Sequence, residues 1–356
     1  MCSLLGGRGG RGPSTETRVA FLSTGGTVAC TADAAGDLRP TLTARDLLRA
    51  GQAQTDPSTE TRVAFLSTGG TVACTADAAG DLRPTLTARD LLRAAGADTD
   101  GAVTGRDVMT LDSSSLTLAD IDALLAAVVA AHRDGVEAVV VTHGTDSLEE
   151  TAMAVDRMVG VPVVLTAAQH PADDPDPDGP ANIRAALAEA RRLPAAPRIV
   201  VGGSCPAYGA TKRHTTDLDA FRVDPATRRP APLTADPAPL DGLRVDIVTA
   251  YAGAPRDTVD AALDAGADGL VVAAMGSGNI GDDLDAGVRR ALDAGVPVLV
   301  ASRVAAGGVH LVYGGAGGGS SLARHGARSA GALSPAQARM SLLCELAVAR
   351  RDGDGS

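Results

Sequence analysis

Four stretches of this chain carry side chains able to move an acyl group, and each comes after a short apolar run. Ser67-Thr68-Gly69-Gly70-Thr71 follows Val63–Leu66, and Asp112-Ser113-Ser114-Ser115 follows Val108–Leu111. Thr142-His143-Gly144-Thr145-Asp146 ends the run from Ala138, and Gly209-Ala210-Thr211-Lys212 comes after Ile199–Val201. A threonine hydroxyl becomes a nucleophile when a neighbouring base takes its proton, and a lysine can be that base. An aspartate such as Asp146 can orient the lysine or hold a substrate ammonium. Backbone N–H groups at glycine-rich turns and helix starts can stabilise an oxyanion. Taken together, these parts suit acyl transfer from an amide.

Each stretch also has an ordinary use. Gly69 and Gly70 let a backbone approach a ligand, or simply make a tight turn. Thr145 and Asp146 could cap a helix starting near Ser147. His143 reads equally as a general base or a structural loop residue, and Ser113–Ser115 could be only a polar loop. Lys212 is harder to set aside. Of 32 Lys plus Arg it is the one lysine, the other 31 being arginine. Arginine keeps its proton in a protein, whereas lysine can titrate. Lys212 is thus either a lysine that must titrate or a surface lysine left by chance.

Other chemistries leave no trace. There is no Gly-x-Ser-x-Gly elbow, no phosphate loop around Lys212, and no third glycine of a dinucleotide fingerprint at 25–26 or 69–70. The six histidines lack metal-ligand spacing, and the five cysteines read as free thiols. A net charge of −11 and a pI near 5.0 argue against nucleic-acid or anionic-membrane partners. No stretch approaches a membrane span, and the start lacks the apolar run of a secretory signal, so a cytoplasmic location is expected.

The elements that must position these residues alternate. Between the runs already named and Val161–Thr166 lie helical patterns at Leu118–Arg133, Ser147–Met158 and Ala181–Arg192. Thr117, with Asp120 three residues on, reads as a capped start. Continuous apolar strands alternating with helices predict a parallel sheet covered on both faces. Ligands in such sheets bind at the carboxyl ends of the strands, which is where the reactive residues fall. Residues 225–243 hold five prolines without periodicity and read as a linker. Strands return at Val245–Thr249, Gly269–Ala273 and Val296–Ser302, and a last helix has Ser334 as cap and Pro335 at its first position. The run Gly314–Gly319 reads as a mobile loop. Aromatics are 2% and Trp is absent, so the core must be Ala, Val and Leu.

The layout expected is an N-terminal extension at 1–56, a catalytic α/β domain at 57–224, the linker at 225–243, a smaller α/β domain at 244–351 and a tail at 352–356. The extension contains a duplicate, because residues 13–50 and 57–94 are identical over 38 positions. Thr27 therefore repeats Thr71. The sheet has one slot for this strand, and the second copy needs a much shorter link to the next one. Loop-closure scaling favours the second copy by about 1.4 kcal/mol. The first is expected to be displaced, largely disordered or added to an exposed edge, with a minority exchanging into the slot or between subunits.

The chain resembles the bacterial-type L-asparaginase family (asparaginase/glutaminase) over roughly residues 60–350. The motifs are Thr68-Gly69-Gly70-Thr71, Thr142-His143-Gly144-Thr145-Asp146, Asp178-Gly179-Pro180 with Asn182, Ala210-Thr211-Lys212 and Gly276-Ser277-Gly278-Asn279. The resemblance implies a large flavodoxin-like parallel-sheet domain with a smaller C-terminal α/β domain. It also implies hydrolysis of L-asparagine without metal or cofactor, in homodimers or homotetramers with the site between subunits. By position, Thr71 is the implied nucleophile, and Thr145, Asp146 and Lys212 form a second catalytic cluster with Lys212 as proton acceptor. Asp146 would also bind the substrate amine. Ser113 and Gly144 would hold its carboxylate, with Ser114 nearby, and Asn279 would reach in from the smaller domain. Two departures stand out: Val72–Pro84 lacks the activating tyrosine of many members, and 307–321 lacks a matching acidic residue. A related amidase or glutaminase, or a non-catalytic binder of small amino acids, stays open as an alternative.

Overall fold

In the computed structural model, which describes residues 30–32, 38–40 and 61–354, the first copy of the repeat contributes β1 (Cys30–Ala32) and β2 (Leu38–Pro40). They pair antiparallel, Cys30 opposite Pro40. They belong to one compact unit, Met1–Asp56, and the second unit is Pro57–Ser356. The second copy supplies β3 (Val63–Gly69) and the hairpin β4 (Cys74–Ala76) and β5 (Leu82–Pro84). Cys74 lies opposite Pro84, the same register as in the first copy. The first copy's apolar run and Thr27 lie outside the described residues.

After α1 (Ala88–Ala94) come β6 (Val103–Leu111), α2 (Leu118–Arg133), β7 (Ala138–Thr142), α3 (Leu148–Met158), β8 (Val163–Thr166), α4 (Gly179–Ala190), β9 (Arg198–Val201) and β10 (Gly203–Pro206). The larger sheet runs β10-β9-β8-β7-β3-β6, parallel except for β10. Counted along the chain, its parallel strands stand in the order 2-1-3-4-5, the doubly wound arrangement of flavodoxin-like sheets. Period-two alternation on β3 explains the two covered faces. Val63 and Phe65 pack with Leu91, Ile183 and Leu187 of α1 and α4, while Ala64 and Leu66 pack with Leu124, Leu125 and Met153 of α2 and α3.

Two expected boundaries move for visible reasons. β6 begins at Val103, not Val108, because its first half is an exposed edge with no apolar alternation. α4 starts at Gly179, since Pro180 fits the first turn of a helix. α2 matches its expected span, with Thr117 and Asp120 exchanging side-chain-to-backbone bonds of 3.2 and 2.9 Å.

A second hairpin, β11 (Ala210–Lys212) with β12 (Phe221–Val223), precedes the proline-rich segment. That segment is irregular yet pinned. Arg229 meets Asp156 at 2.7 Å, Leu233 N donates to Arg157 O at 2.8 Å, and Leu240 N donates to Asp122 at 2.9 Å. The second sheet is β13 (Val245–Thr249), β14 (Gly269–Ala274), β15 (Val298–Ser302) and β16 (Arg328–Ser329), all parallel, with α5 (Asp257–Asp264) and α6 (Asp282–Asp293) on one face. The glycine run 314–319 leads into α7 (Gly319–Arg324) and is tied back by Ile280 N donating to Gly317 O at 2.8 Å, so it is a loop-to-helix turn and not the free loop expected. α8 (Pro335–Asp354) closes the fold, its Met340, Leu343 and Cys344 joining a core shared with α3 and the second sheet. Among the described residues no helix is long and apolar enough to cross a membrane.

Candidate active site

The strand order of the larger sheet reverses between β3 and β7, and sheets of this kind hold ligands at the carboxyl ends of the strands beside such a reversal. Gly69 (φ 94°) and Gly70 (φ 75°) end β3 in a conformation that side chains rarely adopt, and a single 3-10 turn, Thr71–Ala73, follows. A Cβ on Gly70 would overlap the backbone of His143 and Gly144, and one on Gly144 would overlap the Ser113 side chain. Three loops therefore meet backbone to backbone, and the glycines are what lets them. Gly70 N donates to Leu111 O at 3.0 Å, and Thr68 Oγ1 donates to Thr142 O at 2.8 Å, fastening the β3 end to both neighbours.

Thr145 and Asp146 are not used as a cap. Ser147 takes the cap position of α3 without a side-chain capping bond. Thr145, buried, receives a hydrogen bond from Lys212 Nζ at 2.8 Å, and Asp146 Oδ1 lies 3.5 Å from the same nitrogen. The Asp146 side chain is 67% exposed against 22% for Lys212, so the carboxylate faces solvent and the lysine nitrogen lies behind it. Ser113 is buried beneath: its Oγ accepts from Asp146 N at 3.2 Å and its carbonyl from Ser147 Oγ at 2.6 Å. Ser114 is exposed on the same turn.

His143 is fully buried and both ring nitrogens are engaged. Nδ1 lies 2.8 Å from Gly144 O and Nε2 3.0 Å from Thr151 Oγ1. A carbonyl can only accept, so the proton sits on Nδ1 and Nε2 accepts from Thr151. Burial pushes the imidazole down to about 4, which keeps it neutral. Of the two readings of His143, the structural one holds. The Asp178 motif is also scaffolding. Its carboxylate accepts from Gln169 N, His170 N and Asn182 Nδ2, and Asn182 Oδ1 accepts from Gly202 N at 3.0 Å.

Thr71, Ser113, Ser114, Gly144, Thr145, Asp146 and Lys212 thus share one rim of the larger sheet. Asn279 stands on the loop after β14, where its Oδ1 accepts from Gly319 N at 3.2 Å. Sequence reasoning missed Glu149. In the first turn of α3, it accepts from Lys212 N at 3.3 Å and from Ser334 Oγ at 3.4 Å, and burial pushes its carboxyl up to about 7. The one signal was two adjacent acids just after Thr145-Asp146, and acids at a helix start are commonplace. Among the described residues no group of His, Cys, Asp or Glu could hold a metal ion.

Known proteins match this arrangement in sequence and in fold. Family models described as "Asparaginase, N-terminal" and "Glutaminase/Asparaginase C-terminal domain" match residues 62–230 and 244–352. A probable L-asparaginase of Deinococcus radiodurans is 39% identical over 61% of this chain and 74% of its own length. A glutamyl-tRNA(Gln) amidotransferase component from Aeropyrum pernix is 31% identical over 50% of this chain, which spans about half (49%) of that protein. The crystal structure of a probable cytoplasmic L-asparaginase from Campylobacter jejuni superposes with a TM-score of 0.71 at 27% identity, over 80% of this chain and 95% of that one.

Proposed function

The chain belongs to the asparaginase family and is an amidohydrolase, and on that premise we propose that it hydrolyses L-asparagine to L-aspartate and ammonia with Thr71 as nucleophile. Thr71 Oγ attacks the side-chain amide carbon, and N–H groups of the glycine-rich turns stabilise the oxyanion. The Thr145–Lys212 pair takes up the nucleophile's proton and passes it to the departing nitrogen, which leaves as ammonia. Water then attacks the threonine ester, releasing aspartate and restoring the hydroxyl. Asp146 pairs with the substrate's α-ammonium, while Ser113 and Gly144, with Ser114 beside them, receive its α-carboxylate.

The observation that carries this reading is the 2.8 Å contact between Lys212 and Thr145 on the loop against which Gly70 packs, one residue before Thr71. Replacing Lys212 by alanine, or Thr27 and Thr71 together, is expected to lower ammonia release from L-asparagine by about a thousandfold or more, the scale on which a nucleophile or its base contributes. Undiminished turnover in either variant would sink the mechanism.

The layout at 57–224, 225–243 and 244–351, a homodimer or homotetramer with Asn279 serving a neighbouring site, and a cytoplasmic location belong to the same proposal. Light scattering on the purified protein tests the assembly. A second reading, an amidase acting on glutamine or another small amide, is favoured by the amidotransferase relative and by the absence of an acidic residue in 307–321. Turnover of asparagine and glutamine, measured side by side, separates the two.

A further inference from the structure

β11 is half of a two-stranded hairpin, so among the described residues one of its edges has no strand to pair with. Arg213 N donates across to Ala220 O at 2.8 Å, and alternation therefore turns the peptide groups of Ala210 and Lys212 the other way. Both are met there by side chains. Gln337, fully buried in the first turn of α8, donates from Nε2 to Ala210 O at 2.5 Å. Glu149 Oε2 accepts from Lys212 N at 3.3 Å, and its Oε1 accepts from Ser334 Oγ at 3.4 Å. Ser334 and Gln337 hold each other: Gln337 N donates to Ser334 Oγ at 3.2 Å and Ser334 N to Gln337 Oε1 at 3.3 Å. One helix turn further on, Arg339 meets Glu150 at 3.2 Å and locks α8 against α3.

We propose that Glu149 is the positioning residue for Lys212: its carboxylate, fixed from behind by the first turn of α8, sets the backbone from which the lysine reaches Thr145. The inference rests on the role given to Lys212 above and adds a residue from α3 and two from α8 to the machinery. Lys212 Nζ must stay within bonding range of one hydroxyl, here 2.8 Å, and a displacement of about 1 Å at a reacting group costs on the order of a hundredfold in rate. An edge strand of three residues, with one partner strand, has little else to hold that position. The site is half-buried, and a peptide N–H left there without an acceptor is costly.

Reach and charge can be separated by substitution. Glu149→Gln keeps an oxygen at the same distance for Lys212 N, and its amide can donate to Ser334 Oγ. Glu149→Asp keeps the charge but is one methylene too short. With L-asparagine as substrate, Glu149→Gln is expected to keep kcat within about threefold of wild type, and Glu149→Asp to lose about ten- to a hundredfold, both with KM within about threefold. Glu149→Ala should lose at least as much as the aspartate variant; if it does not fold, the Gln and Asp pair still decides. Thermal unfolding of each variant separates a loss of folded protein from a loss of kcat. Equal kcat in the Gln and Asp variants, or wild-type kcat in a folded alanine variant, overturns the proposal. Lys212→Ala distinguishes the two levels: if it is fully active, the reading of Lys212 falls; if it is inactive while Glu149→Ala is normal, only the positioning role falls.

Discussion

Glu149 and His143 lie six residues apart, and burial shifts them in ways that couple stability to pH with opposite signs. Glu149 is raised from 4.5 to about 7, so the folded chain binds its proton more tightly, and stability falls as pH rises from about 4.5 to 7. His143 is lowered from 6.5 to about 4, so the unfolded chain binds the proton more tightly, and stability falls as pH drops from 6.5 to 4. Between about 4.5 and 6.5 the two slopes oppose each other. Glu149→Gln removes one of them. The variant should therefore lose stability on acidification through that window more steeply than wild type. Relative to wild type it should gain roughly 3 kcal/mol between pH 4 and pH 9. Urea unfolding at pH 4, 5, 6.5 and 9 measures both, and parallel curves would refute them. Little of this was legible in the sequence. His143 could be read two ways until both its nitrogens had partners, and Glu149 draws its meaning from Ser334, 185 residues later. Lys212 was the exception, because its rarity marks it without any knowledge of its surroundings.

At the scale of elements, the sequence was informative where strands are buried on both faces and silent where they are not. β7, buried along its whole length, keeps its expected limits, whereas the first half of β6 and the three-residue strands of the hairpins show no hydrophobic pattern to detect. The rim residues could be gathered because a parallel sheet puts every strand-to-helix turn on one side. The packing between those turns could not be foreseen, since it depends on glycine backbones in contact. Gly70→Ala tests that packing. The substitution adds a Cβ against Gly144 at a φ of 75°, and backbone must move to admit it. At φ 75° and ψ 179°, a region essentially reserved for glycine, an alanine alone costs about 1–3 kcal/mol, and the overlap should bring the loss to roughly 2–4 kcal/mol. Activity should fall further than stability, because the loop that shifts carries Thr71. Denaturant midpoints and ammonia release on the same preparation provide the check; near-normal turnover would mean that the loops can separate without harm.

At the scale of the molecule, the duplicated segment sets a limit on any test of the nucleophile. The two copies form the same hairpin in the same register, so that piece of structure is encoded locally and does not depend on which copy forms it. β3 fills the slot between β6 and β7 from the second copy, as chain connection favours. A preference of about 1.4 kcal/mol leaves at most about a tenth of molecules with the first copy in place. Activity in Thr71→Ala should therefore lie below a tenth of wild type, and whatever remains should vanish in the Thr27/Thr71 double variant. A remainder that persists there points away from both threonines. The core that the composition foretold is present, with Phe65 the one aromatic among the largest fully buried side chains. The solitary lysine has a practical consequence as well. Because every other basic side chain is arginine, Lys212 is the only side-chain amine in 356 residues, and a lysine-specific protease has a single bond to cut, before Arg213. An amine-directed acylating reagent can therefore mark one side chain, and the mass of the peptide that carries it reports directly on the candidate site. Protection of that amine by L-aspartate, followed as a single mass shift, would measure occupancy of the site without any assay of turnover.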